Sequence, residues 1–481
     1  MSANRSPDSV DHQRQDCSPA ADSFFRILLE IWSIALPLMV SAGTFSLVLF
    51  ADRTLLLWYD GQSMSASMAG GNFFWVLVCL PVGIASMTGA IVSQYVGANE
   101  HEKIGRFLWQ SVWLSLLSTP LFVGIAFFAR NLFEITGQPS HLLDLEATYL
   151  RLLMIGAVGL VLESALSGFF SGTEQTRTIM WVSLASGVVN LVLDLILVFG
   201  AGPIPAMGVA GAAIGSVIAF WTKAVCYCVL LLKPKYEAIF HIRRGFGFDL
   251  RLASKLLFFG FPTGLMYLTE SGGFTVMLLR IGSIGDVPLR ATTMAINFNM
   301  VAFIPLVGVS IAASVLVGRH LLENGPQRAA KSLYAGLLIG CAYSSIWMIA
   351  YLAIPDVMMS LYRFSDNSES SLAALEIARH LLGFVAIYVL LDSVQLILAG
   401  ALRGAGDTWF VLLSGLLASA IALMVGFVWE PETAMETLAS EENHQDKLYW
   451  WWWMLTLWIW LLATFMTTRF LQGRWKRMRM V

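Results

Sequence analysis

Four carboxylates stand inside otherwise apolar stretches of this chain: Asp52, Asp194, Glu270 and Asp392. Acids at membrane depth are costly and usually face a cavity or an ion path. Asn190 precedes Asp194 by four residues, and Tyr388 precedes Asp392 by four. On a helix that spacing puts each pair on one face. A carboxylate in low dielectric has a raised pKa and can hold or release a proton near neutral pH. It can also neutralise a bound cation or offer oxygen ligands to Na⁺, with Glu270 and Asp392 as the candidate Na⁺ ligands. Two interacting acids titrate in separate steps. The alternative for each is a helix–helix hydrogen bond or a surface charge that snorkels. Asp52 invites that reading most, because Arg53 adjoins it. Glu163 is a further candidate. Lys223 and Arg280, near helix ends, read as snorkelling side chains.

The elements that position these groups follow from composition. Of 481 residues, 57% are apolar and 13% charged, against about 25% charged in soluble domains. The 40 Gly suit membrane helices packed through small residues. A membrane span needs about 20 apolar residues. Twelve such runs occur: 27–51, 64–93, 107–128, 148–170, 178–199, 208–232, 253–280, 291–317, 331–354, 378–402, 409–429 and 449–470. The expected fold is all-α and polytopic, with twelve transmembrane helices in two pseudo-symmetric six-helix bundles.

The halves repeat. At an offset of 225, Pro37 pairs with Pro262, Asn72 with Asn297, Gly83 with Gly308 and Val92 with Val317. At 232, Gly168, Gly172 and Thr176 answer Gly400, Gly404 and Thr408. Repeated hydrophobic halves are the usual construction of a secondary transporter. Pro37 and Pro262 can kink matched helices, which suits a gate that bends or rocks; static packing shape is the alternative. The expected organisation is a disordered cytoplasmic tail (1–25), a first bundle (26–235), a cytoplasmic linker (236–252), a second bundle (253–472) and a basic cytoplasmic tail (473–481).

Lys and Arg set the orientation. With the N-terminus inside, the cytoplasmic segments hold Lys103, Arg106, Lys233, Lys235, Arg243, Arg244, Arg319, Arg328, Lys331, Arg403 and the C-terminal basic run. The last outer loop, Glu430 to Lys447, is acidic. Both termini are therefore expected in the cytoplasm, and Trp450–Trp453 at the outer interface where the last helix enters. The leading residues lack the pattern of a signal peptide. The five Cys have no zinc-like spacing, and the seven His are scattered in the tail, in loops or at helix ends, which argues against a membrane enzyme. No Gly-x-x-x-x-Gly-Lys run marks an ATP site. No nucleic-acid partner and no cofactor other than a coupling ion is expected.

Three segments carry a family resemblance: Leu36-Pro37 through Asp52, Gly208-Val-Ala-Gly-Ala-Ala213, and Asp392-Ser-Val-Gln-Leu-Ile-Leu-Ala-Gly-Ala-Leu-Arg-Gly-Ala-Gly-Asp-Thr408. From about residue 27 to 428, and more loosely to 470, the chain resembles multidrug and toxic compound extrusion (MATE) transporters, with features of the NorM-like and DinF-like branches. The resemblance implies a monomer with a central cleft, in the cell membrane (the inner membrane of a Gram-negative cell). It would export amphipathic, often cationic compounds in exchange for inward H⁺ or Na⁺. Asp52 matches the family's helix-1 acid. Asn190 and Asp194 match the N-lobe pair, and Ser216 falls near a hydroxyl position of that site. Glu270 and Asp392 match the C-lobe acids, and Tyr388 their aromatic neighbour. Arg53 replaces the usual Thr, so an Asp52–Arg53 pair is one expectation. The alternative function is a flippase for lipid-linked saccharides or other lipids. That activity calls for cationic residues in the cleft, whereas the mid-helix charges here are mainly acidic.

Overall fold

A computed structural model describes residues 24–135, 140–360, 369–431 and 441–481. The expected tail at 1–25 lies almost wholly outside the described residues, as does the acidic stretch 432–440. The first six long helices are α1 (Phe24–Tyr59), α2 (Gly61–Gly97), α3 (His101–Phe127, broken at Ser118), α4 (Ser140–Gly172), α5 (Thr176–Phe199) and α6 (Val209–Leu231). The second six are α7 (Leu250–Gly282), α8 (Asp286–Glu323), α9 (Pro326–Ala353), α10 (Glu369–Ala405), α11 (Thr408–Val428) and α12 (Glu441–Gln472).

All of these except α7 are long and apolar enough by composition to cross a membrane. The 33-residue α7 is diluted by Thr269-Glu270-Ser-Gly-Gly273 at its centre. Several helices overrun their apolar runs at both ends, because backbone hydrogen bonding continues past the hydrocarbon boundary until a cap stops it. Asp60 caps α2 by accepting from the Ser63 amide at 3.1 Å. Asp249 caps α7 by accepting from Arg251 and Leu252. Pro37 and Pro262 are buried inside α1 and α7, which stay helical through them.

The α6–α7 linker folds as a short helix (Pro234–Phe240) and a 3₁₀ turn. It is held by α3: Trp109 donates to the Ile242 carbonyl at 2.7 Å, and Gln110 donates to Gly247 and accepts from the Asp249 amide. The linker defines one face of the molecule, shared by the start of α1 and the end of α12; the opposite face is called the far face.

The repeat is visible in the packing. A side chain at Gly83 of α2 would collide with the backbone of Gly264 on α7, and one at Gly308 of α8 with the backbone of Met39 on α1. Gly83 and Gly308 are repeat mates, and so are Met39 and Gly264 by the same offset of 225. The two contacts are one contact seen twice, as a two-fold axis requires. Inside the bundles, Gly172 lies on Gly89 as Gly404 lies on Ser314. These close approaches are what small residues provide between membrane helices.

The bundles meet in the linker-face half. There Gly97 packs on Arg319, and Gly318 on Ser93. Gln94 donates to the Gly404 carbonyl at 2.9 Å. Arg319 pairs with Glu174 at 2.5 Å, and Glu30 with His320 at 3.4 Å and Arg328 at 3.6 Å. Contact reaches Met39 and Leu80. Beyond, toward the far face, Phe45, Leu47 and Phe50 of α1 and Met300 and Val301 of α8 are exposed.

The C-terminal bundle closes on two devices. Arg469 of α12 donates twice to Asp407, at 2.6 and 3.2 Å, and lies over the Phe410 ring. Arg469→Ala would leave a buried carboxylate alone, at a cost of about 3–5 kcal/mol. A Tm in detergent equal to wild type would rule out that contribution. The Trp450–Trp453 run, expected near the outer end of the last helix, turns partly into the bundle. Trp451 and Trp452 are fully buried, and Trp453 is exposed. Three indole N–H groups are satisfied inside the bundle, by Gly426, Glu430 and Thr292. Large rings gain more from burial once the N–H finds a partner.

Candidate functional site

In the N-terminal bundle the inner face of α5 is polar at every turn: Ser183, Ser186, Asn190 and Asp194, each at most 2% exposed. That spacing is helical, so the four line one stripe. Its far-face end meets Asp52, two turns before α1 ends, and Ser216 on α6. Ser216 donates to Asp52 at 3.4 Å. With its amide nitrogen toward Asp52, Asn190 donates to that carboxylate at 3.1 Å and accepts from the Ser216 amide at 3.2 Å; the hydrogen bonds decide this orientation.

The Asp194 carboxyl lies beside that of Asp52. Both its oxygens are buried and meet no N–H or O–H donor among the described residues. An ionised carboxylate only accepts, so the contact is satisfied when one proton sits between the two acids. Gly215 makes the room: any β-carbon there would overlap the Asp194 carboxyl. Tyr149 lies near both acids. Arg53 is half-buried and attracts Asp52 at a distance, but it forms no ion pair with it among the described residues, contrary to the pairing its position suggests. The α-helix turns successive side chains about 100° apart, so neighbours in sequence point apart.

In the C-terminal bundle Asp392 is 6% exposed and accepts from Gln395 at 3.1 Å. Tyr388, one turn earlier on α10, is buried. Glu270 of α7 lies within electrostatic reach of Asp392 and of Arg403. Arg403 donates to Ser310 at 3.4 Å and sits 5.9 Å from the Tyr267 ring centre. Glu270 itself has no hydrogen bond or ion pair with a described residue, so its oxygens are available to a visitor. No third His, Cys, Asp or Glu joins these two in a metal-holding group among the described residues.

Two charges read as snorkelling do otherwise. Lys223 reaches Glu163 at 3.8 Å, each side chain 16% exposed. Arg280 pairs with Glu430 at 2.7 Å near the far face. Sequence reasoning also passed over Gln395 and Gly215. Gln395 is readable as the i+3 partner of Asp392 within the quoted motif; Gly215 left no signal beyond its small size.

Comparisons with known proteins agree with this architecture. The chain is 27% identical over 398 residues to the multidrug resistance protein NorM of Burkholderia vietnamiensis, covering 82% of this chain and 85% of that one. It is 24% identical over 457 residues to a probable NorM of Bacillus cereus, covering 94% and 96%. Its fold matches the crystal structure of the eukaryotic MATE transporter AtDTX14 with TM-score 0.80 at 18% identity, covering 94% of this chain and 97% of that one. It also matches a multidrug resistance MATE transporter of the MOP superfamily in an outward-facing conformation, with TM-score 0.81 at 18% identity and the same coverage. The MatE family model matches residues 37–196 and 262–428. Those two segments are the two repeated halves, each with its proline helix, and the chain belongs to the MatE family of multidrug and toxic compound extrusion transporters.

Proposed function

We propose that this chain exports amphipathic, largely cationic compounds in exchange for inward H⁺ or Na⁺, with Asp52 and Asp194 as the proton pair and Glu270 and Asp392 as the cation site. The observation that carries the reading is the burial of Asp194 beside Asp52, an arrangement that one shared proton would satisfy. The relatives named NorM support drugs as the cargo. The chemistry is transport, not catalysis.

The linker face is cytoplasmic in this reading, because it gathers Lys233, Lys235, Arg243, Arg244, Arg474, Lys476 and Arg477. The bundles are closed there, so the described state is open outward. A single chain holds both acid sites and acts as a monomer. Substrate binds apolar walls and carboxylate charge from the cytoplasmic side, and the bundles rock about Pro37 and Pro262. An incoming H⁺ or Na⁺ takes the carboxylates and displaces the substrate outward. The membrane potential contributes about 2.3 kcal/mol per charge per 100 mV.

Ethidium efflux from energised vesicles tests the division of labour between the bundles. Wild type, Glu270→Gln and Asp392→Asn are compared with and without Na⁺ at two pH values. Efflux stimulated by Na⁺ should fall in both variants, while efflux driven by ΔpH alone persists. Undiminished Na⁺ stimulation in both would remove the cation site from Glu270 and Asp392. No ethidium efflux by wild type under any condition would move the cargo toward a lipid.

A further inference from the structure

We propose that Glu163 and Lys223 form a second proton station, through which the proton held by Asp52 and Asp194 leaves toward the linker face inside the N-terminal bundle. The proposal rests on the proton-pair reading above and adds its exit.

Two helix faces enclose the route. On α6, Ser216, Phe220, Lys223 and Tyr227 recur at helical spacing on one face. On α5, Asp194, Asn190, Ser186 and Ser183 do the same. Ser216 touches Asp52 at the upper end. At the lower end Lys223 meets Glu163 of α4 at 3.8 Å. There the Ser41 and Ser183 hydroxyls lie 2.6 Å apart. The Tyr227 hydroxyl is buried beside Ser183 and Glu163. An ion pair at this depth calls for a reason, since apolar residues would pack there at no desolvation cost. Groups that pass protons supply that reason.

Between the two clusters sits an apolar barrier. Phe220 follows Ser216 by one turn and precedes Lys223 by one turn. Its ring stacks on Phe74 of α2, centroids 6.2 Å apart and planes within 3°. While these rings touch, the upper acids are sealed from the lower cluster, so the outward-open state does not leak protons. When they part, water admitted between them carries the proton down. The O–H bond on the Asp52–Asp194 pair breaks and one forms on the Glu163 carboxylate; no electrons are gained or lost. The O–H bond on Glu163 then breaks as one forms on water at the linker face, and the carboxylate returns to Lys223. The ionisable groups around Glu163 are Lys223 and Tyr227, with Cys226 beside Tyr227. Substrate and proton then use separate routes, the cleft and the bundle interior.

The test reconstitutes the full chain in liposomes, with ethidium as substrate and a trapped pH dye. Glu163→Gln should bind ethidium within about twofold of wild type yet exchange it for H⁺ roughly tenfold or more slowly, with a displaced pH profile. Glu163→Asp should recover most of the rate. The charge-balanced double variant Glu163→Gln/Lys223→Met should remain slow, although no lone charge is left buried. Phe220→Ala should admit protons without ethidium. If Glu163→Gln or the double variant exchanges at the wild-type rate with an unmoved pH profile, the pair is only structural and the station is overturned. A wild type that shows no ethidium–H⁺ exchange would overturn the antiport reading along with it.

Discussion

Asp194→Asn is expected to stop ΔpH-driven efflux while leaving the protein folded and able to bind ethidium. The side chains are isosteric, and Gly215 leaves the same room for either. An asparagine amide can donate to Asp52 permanently, so the contact survives without its exchangeable proton. Substrate then has nothing to displace and nothing displaces it. A positioned proton-transfer group contributes about 10²–10⁴ in rate, so the loss should be roughly a hundredfold. Asp52→Asn should behave alike, because in the proposed mechanism the two acids share one proton. Efflux kinetics in vesicles under an imposed ΔpH measure this directly. A variant with half the wild-type rate would mean that the proton is carried elsewhere.

Gly83→Val should have the next largest effect, by a wholly different route. Gly83 and Gly264 meet backbone to backbone at the crossing of α2 and α7. A branched side chain there forces the bundles apart on the linker face, while leaving the interior of each bundle untouched. Overpacking costs about 1–3 kcal/mol, which moves a two-state equilibrium by roughly five- to 150-fold. A cysteine introduced at Ser93, buried under Gly318 at the same interface, should become alkylated faster by that factor in the Gly83→Val background. Unchanged alkylation would show that closure does not depend on this crossing. Gly308→Val, the repeat mate, should act in the same direction.

The fold was legible because its signal is coarse. A run of about 20 apolar residues can cross a bilayer only as a helix, and all twelve runs became helices. The repeat was equally readable, since Gly83 and Gly308 must be small to let the facing backbones approach. Azimuth and partner were harder. Sequence gives the depth of Lys223 in α6 but not that Glu163 of α4 faces it. The same gap explains Arg53: adjacency to Asp52 in the chain suggested a pair, while the helix points the two apart. The tryptophan run is a third case. Interfacial preference is a property of indole, but Trp451 and Trp452 found N–H partners in the bundle and were buried there. The carboxylates themselves were conspicuous, because acids in apolar helices are rare.

The central claim is that binding of a cationic substrate releases the proton shared by Asp52 and Asp194. Adding ethidium to the purified chain in weakly buffered detergent, near neutral pH, and reading the pH change tests it most directly. The account predicts proton release that saturates with ethidium binding and vanishes in Asp194→Asn, which still binds the dye. Ethidium binding by wild type without proton release, or with release undiminished in Asp194→Asn, would contradict it.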